Sequence, residues 1–221
     1  MKDGILVGID AGTSVLMSVA FTADGKQVAV VAIPNQYVTH ADGGVEQGMT
    51  RTWSDATATL RELAEKIPNL ATRLIAISVT AQGDGMWLID KDGEPVGPAT
   101  IWLDNRAASI VEDYVATKNY ADHDSRTGTG LTVVQMSGKL AWMLRHRPEV
   151  LAKATHAFHC KDWIYFKLTG DRVTDPSEAN FTFGNDRTCT SGLWSVEEWL
   201  THMWEPLPQR VEGTCGRVSS A

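Results

Sequence analysis

The apolar run Ile5-Leu6-Val7 leads directly into Gly8-Ile9-Asp10-Ala11-Gly12-Thr13-Ser14, and no other stretch constrains the fold of this 221-residue chain as tightly. It reads as a buried β-strand that delivers an aspartate, a glycine and two hydroxyls into a tight turn. Such a turn can hold phosphate. Gly12 lets the backbone approach an anion, Thr13 and Ser14 can donate hydrogen bonds, and Asp10 can organise hydrated Mg²⁺. The same residues also suit a plain polar hairpin, so the motif alone leaves both readings open.

Residues 5–9, 15–21 and 27–33 predict three consecutive strands, joined by the Gly12-Thr13-Ser14 turn and by a hairpin at Asp24-Gly25. A loop with Asp42-Gly43-Gly44 leads to a helix from about Thr52, in which Trp53, Ala56, Leu60, Leu63 and Ile67 recur at helical spacing. Thr52 and Asp55 offer a capping box, and Pro68 a stop. Residues 74–80 are apolar on both faces, which predicts a strand inside a covered sheet. Residues 86–89 and 99–103, around Asp92-Gly93, predict a second hairpin. Helices follow over 105–117, 138–147, 148–153 and 161–168, the last ended by Gly170, and another over 194–204 before Pro206 and Pro208. Strands, helix, strand and further helices make an α/β order.

With 43% apolar residues the chain can bury an ordinary core as one large domain or two small ones. Its net charge of −7, without any basic run, argues against a nucleic-acid partner. No apolar stretch has the length of a membrane span, and the Met1-Lys2-Asp3-Gly4 start runs into a strand instead of a signal-peptide core, so a cytoplasmic protein without a membrane partner is expected. Cys160, Cys189 and Cys215 are odd in number and far apart, as reduced thiols are. His156, His159 and Cys160 have tempting zinc spacing but no second pair of ligands in the sequence.

Further motifs follow in a fixed order. Ala81-Gln82-Gly83-Asp84-Gly85 closes the 74–80 strand, then come Trp102-Leu103-Asp104-Asn105-Arg106, Lys161-Asp162-Trp163, Leu168-Thr169-Gly170 and Thr174-Asp175-Pro176-Ser177-Glu178-Ala179. From about Ile5 to Gly184 this series resembles the first domain of the FGGY carbohydrate kinases, and within that family it is most similar to the erythritol kinase branch. The resemblance implies an actin-like ATPase (ribonuclease-H-like) fold, a mixed sheet with flanking helices. It also implies ATP-dependent phosphoryl transfer to an alcohol group of a sugar or of a sugar alcohol such as erythritol, in a cleft between two domains, with ATP and Mg²⁺ as cofactors. Residues 1–221 would be the sugar-binding N-terminal domain, incomplete and without the ATP-binding C-terminal domain. A homodimer is compatible with it.

On this resemblance Asp10, Gly12, Thr13 and Ser14 take the phosphate and Mg²⁺, with Asp10 acting on the metal through water. Gln82, Asp84, Trp102, Asp104 and Arg106 take the substrate, Asp84 as the acceptor for its hydroxyls. General chemistry leaves other readings beside these. Asp84 between two glycines suits a turn. Alternation along an extended stretch would put Trp102, Asp104 and Arg106 on one face of a polyol pocket, yet a buried Trp beside an Asp N-cap with an Arg paired to it explains them equally. Lys161-Asp162 reads as a helix start and residues 174–177 as a turn.

Two departures from the family pattern stand out. The position seven after Asp10 is usually basic and here is Met17, which cannot neutralise phosphate; it shares a strand face with Val15 and Val19. The general base, an aspartate in a GxxD segment farther on, has no counterpart, because no aspartate follows Asp186. A non-catalytic polyol-binding module and an inactive fragment therefore compete with a kinase.

Overall fold

A computed structural model of the chain describes residues 3–127, 129–175, 177–179 and 217–218. Strand β1 (Ile5–Ala11) alternates as a half-covered strand must, with Ile5, Val7, Ile9 and Ala11 buried on one face and Leu6, Gly8 and Asp10 on the other. β2 (Val15–Thr22) returns antiparallel and sets Met17 opposite Asp10. β3 (Gln27–Pro34) follows antiparallel through a turn in which Gly25 has a φ of 87°. The anticipated three-strand meander is therefore present, each strand one or two residues longer.

Helix α1 (Met49–Lys66) covers one face of this meander. Ala56, Thr59 and Leu63 lie on its buried stripe, and Ile5, Val7, Ala20, Val31, Leu63 and Ile67 form one core. Each large aliphatic side chain in it contributes about 1.5–3 kcal/mol by burial. The buried hydroxyls of Ser18 and Thr59 satisfy each other at 2.7 Å. α1 begins earlier than the Thr52 expected, with Gly48 as N-cap and no side-chain cap. Buried Met49 extends the apolar stripe into the first turn, the Thr52 hydroxyl donates back to Gly48 O (3.1 Å), and Asp55 pairs with Arg51 (2.8 Å). The helix stops ahead of Pro68, as predicted.

After the short α2 (Leu70–Arg73), β6 (Leu74–Ala81) runs parallel to β1, giving the order β3-β2-β1-β6. β6 was expected inside a covered sheet. Among the described residues it is instead the edge strand, paired only with β1, and Leu74, Ile75 and Ile77 are exposed.

The second hairpin is weaker than its Asp-Gly signal suggests. Between β7 (Trp87–Ile89) and β8 (Ala99–Thr100) the two arms are held by isolated bridges at Met86–Thr100 and Ile89–Pro95 and by the Val96 N–H donating to Leu88 O (3.1 Å), not by a continuous ladder. β7 pairs with β9 (His156–Phe158), and β8 with β5 (Val45–Gln47), which also takes β4 (Val38–Thr39). The turn itself forms, with Gly93 N–H donating to Asp90 O (3.1 Å), but tertiary partners have taken the strands on either side of it.

Helices α3 (Ala108–Val115) and α5 (Met136–His146) share a core containing Ile110, Tyr114, Met136 and Leu140, with Tyr120 of α4 (Lys118–Thr127) packed against it. α4 was not anticipated. α3 starts later than residue 105 because the Arg106 N–H bonds to Asp104 Oδ1 (3.1 Å) in a turn. α6 (Pro148–Leu151) opens on its proline. α7 (Cys160–Thr169) carries a His159–Asp162 capping box and ends at Gly170, φ 83°. β10 (Val173–Thr174) pairs parallel with β11 (Arg217–Val218). The helix expected over 194–204, with Cys189 and Cys215, lies outside the described residues. Cys160 is a buried free thiol, pushed up by burial and so held protonated. Among the described residues no helix is long and apolar enough to cross a membrane.

Candidate functional site

Because β1 and β6 are parallel with Ala11 opposite Ala81, the 12–14 turn and the 82–85 loop leave the sheet side by side at its carboxyl edge. Loops at that edge are where α/β folds place ligands. The Gln82 N–H donates to Ala11 O (3.0 Å), and Asn35 clamps the turn through its side-chain amide to Gly12 O (2.8 Å) and its N–H to Ser14 O (2.9 Å). A Cβ on Gly12 would stand 3.0 Å from Val15 O, so the turn is tight there and leaves a side chain little room. Asp10 sits half-buried at this edge with Met17 opposite. Among the described residues no three His, Cys, Asp or Glu side chains converge as a metal cage. One carboxylate among hydroxyls suits Mg²⁺ that keeps most of its water, and does not suit zinc.

A directed chain of hydrogen bonds joins this turn to the 82–85 loop and to Trp102. The Trp102 indole N–H donates to Thr13 Oγ1 (2.9 Å), and the Thr13 hydroxyl donates to Gln82 Oε1 (3.3 Å). Gln82 Nε2 donates to Gln47 Oε1 (2.8 Å), and Gln47 Nε2 to Thr52 Oγ1 (2.7 Å). Trp102 is 39% exposed at the open end of the chain, while Gln82 and Gln47 are buried. The structure thus brings Thr13, Gln82 and Trp102 together from distant parts of the sequence.

Asp84 carries the clearest signs of a ligand-binding group. Its φ is 55°, a left-handed conformation that costs a non-glycine residue about 1 kcal/mol or more. Its Oδ1 is buried and has no hydrogen-bond partner among the described residues. Burial pushes its carboxyl up from the ordinary value, and the charges of His159 and Lys139 pull it part of the way back. The loop has little room to relax, because Gly85 has a φ of 82° and a Cβ there would stand 2.9 Å from Thr100 O.

Asp104 and Arg106 are placed otherwise than an extended stretch would put them. Residues 102 and 103 form a turn, and the three side chains do not share a face. Asp104 is 1% exposed; its Oδ2 accepts from Val45 N (2.8 Å) and Arg106 Nε (2.9 Å). Arg106 continues to Glu46 (3.0 Å) and lies 4.4 Å over the Trp142 ring. It packs where Gly44 leaves space, since a Cβ there would be 2.9 Å from Arg106 Cζ. Here both residues hold the loop that carries Trp102.

Lys139 was not anticipated. It is 2% exposed, and its Nζ donates to Asp104 O (3.0 Å) and Val133 O (3.1 Å). Burial lowers it to about 8, against the pull of Asp104 and Asp84. Its place between Met136, Leu140 and Met143 on the apolar stripe of α5 was a legible signal, since a lone lysine there must be buried. Glu178, also unassigned by the sequence, ties His159 (3.4 Å) and Lys161 (3.3 Å) beside Gly83, and Lys161 also pairs with Asp175.

Comparison with known proteins gives the family and the fold. The profile of the FGGY family of carbohydrate kinases, N-terminal domain, matches residues 5–186. The erythritol kinase of Brucella abortus (strain 2308) is 52% identical over 187 residues, covering 85% of this chain and 36% of that protein. The solved xylulose kinase of Rhodospirillum rubrum superposes with a TM-score of 0.78 at 28% identity, over 83% of this chain and 38% of the other. The gluconate kinase of Lactobacillus acidophilus gives a TM-score of 0.75 at 27% identity, over 81% and 36%. The chain thus spans little more than a third of the length of these relatives. On the strength of the match and of the mixed sheet with its loops at one edge, the chain belongs to the FGGY family of carbohydrate kinases.

Proposed function

We propose that residues 5–186 form the substrate-binding part of an ATP-dependent polyol kinase, with a short sugar alcohol of erythritol's class as phosphoryl acceptor. The observation that carries the reading is Asp84: a strained, partly buried carboxylate with an unpartnered oxygen, at the sheet edge next to the 12–14 turn. A polyol hydroxyl donating to Oδ1 would satisfy it. Trp102, held by Thr13, offers an apolar face to the carbon chain, and Gln82 supports the loop. Asp104, Arg106 and Lys139 fix this wall from behind.

The phosphate end belongs to Asp10, Gly12, Thr13 and Ser14. When bound, hydrated Mg²⁺ would neutralise charge on the nucleotide phosphates, and Asp10 fits it through water. The acceptor hydroxyl and the phosphates would then meet at one edge, where positioning supplies most of the catalysis. We assign no described residue as the general base or to the adenosine site. A cytoplasmic location fits a kinase that consumes ATP.

A second reading, a polyol-binding module without phosphoryl transfer, is favoured by Met17, which sets a thioether opposite Asp10 where a cation would serve phosphate. Calorimetric titration of the purified chain with erythritol, repeated with Asp84→Asn, tests what both readings share. Saturable binding lost in the variant is expected, and a wild-type protein that binds no polyol refutes both. Phosphorylation of erythritol from Mg·ATP by the whole kinase separates them.

A further inference from the structure

We propose that Thr13 is a positioning residue that couples an anion at the 12–14 turn to the setting of Trp102. The consequence for polyol binding rests on the reading above, whereas the coupling rests on geometry alone. A threonine hydroxyl has one proton and two lone pairs. Here the proton is given to Gln82 Oε1 at 3.3 Å, and a lone pair takes the Trp102 N–H at 2.9 Å. The first bond is long for O–H···O and the second is normal for N–H···O. An anion at the turn offers a charged acceptor, a stronger partner than a neutral amide at that distance. The proton then turns toward the anion. Rotation about Cβ–Oγ1 re-aims the lone pairs, and the indole N–H must follow them or lose its acceptor.

Gln82 cannot compensate. The Thr52 hydroxyl donates to Gly48 O and so accepts from Gln47 Nε2, which turns Gln47 Oε1 toward Gln82 and commits Gln82 Nε2 to it (2.8 Å). Gln82 therefore keeps its oxygen toward Thr13. The solvent-facing end is Trp102, 39% exposed, whereas Gln82 and Gln47 are buried, so the adjustment falls on Trp102. Reciprocity follows: whatever an anion does to the Trp102 wall, a ligand against that wall does to anion affinity by the same factor. A kinase built this way senses donor phosphate at the acceptor site before the two substrates touch.

The test uses the ¹⁵N-labelled 221-residue chain, with the Trp102 indole resonance assigned through Trp102→Phe and inorganic phosphate as the probe. Phosphate is expected to move that resonance in the wild type and in Thr13→Ser. Thr13→Val, isosteric but without the hydroxyl, should move it toward the unbonded indole position before any addition and abolish the response to phosphate. Erythritol affinity, read from the same resonance, should fall about five-fold in Thr13→Val and return in Thr13→Ser, as expected for one neutral hydrogen bond. A wild-type resonance indifferent to phosphate overturns the coupling, and this titration decides even if Thr13→Val fails to fold. A Thr13→Val protein that responds like wild type also overturns it. If phosphate acts as expected while erythritol moves nothing, the coupling stands and the polyol reading falls.

Discussion

Replacing Asp84 by glycine should stabilise the fold while destroying the site. Glycine accepts a φ of 55° without strain, removing about 1 kcal/mol of backbone cost, and gives most of that back through the larger entropy of the unfolded chain. The decisive contribution is the carboxylate, whose buried Oδ1 lacks a partner; such a group costs about 1–3 kcal/mol. Against this stands the loss of attraction to Lys139 and His159, about 1 kcal/mol for partly buried charges. The balance is a gain of about 1 kcal/mol, or roughly 2–4 °C in melting temperature for a chain of this size. Thermal unfolding followed by circular dichroism, with and without erythritol, measures both effects. Asp84→Gly should melt higher than wild type and lose any erythritol-dependent rise. A variant that melts several degrees lower would show that Asp84 holds the loop instead of straining it, and one that still binds erythritol would remove it from the site.

Further outcomes follow from the same packing. Lys139 releases its proton at about 8 in the folded chain and at 10.5 when unfolded, so between those values only the unfolded state retains it and stability rises with pH. Relative to Lys139→Met, wild type should gain up to about 3 kcal/mol in urea unfolding from pH 8 to above 10, and a constant gap would refute the buried charge. Met17→Lys should tighten inorganic phosphate binding roughly ten- to a hundredfold through one charge-assisted bond, leaving erythritol affinity unchanged. An unfolded or indifferent variant would make Met17 a packing residue. Gly85→Ala, forced to φ 82° and against Thr100 O, should lose about 2–4 kcal/mol in chemical denaturation. Near-wild-type stability there would mean that the loop can relax.

What the sequence by itself determined was local or repeated. The alternation in residues 5–33, the Asp24-Gly25 turn, the stop before Pro68 and the glycine ending α7 each depend on a few adjacent residues, so short-range sterics decide them. The motif order carried the family for the same reason: strand, turn and loop motifs survive translation into three dimensions without knowledge of their neighbours. Only the tertiary structure decided which side chains are spent on holding the fold. Asp104 and Trp102 share one motif, yet Asp104 is consumed by Val45 and Arg106 while Trp102 reaches Thr13, 89 residues away. The 86–103 segment carries a hairpin signal, but β5 and β9 supply the better partners. Residues 74–80 are apolar enough for a covered strand, and their exposure depends on which elements lie beside β6. Strain at Asp84 and burial of Lys139 are likewise properties of a closed environment. A hydrogen bond or a desolvated charge takes its energy from groups brought together across the chain, and spacing within one segment does not encode that meeting.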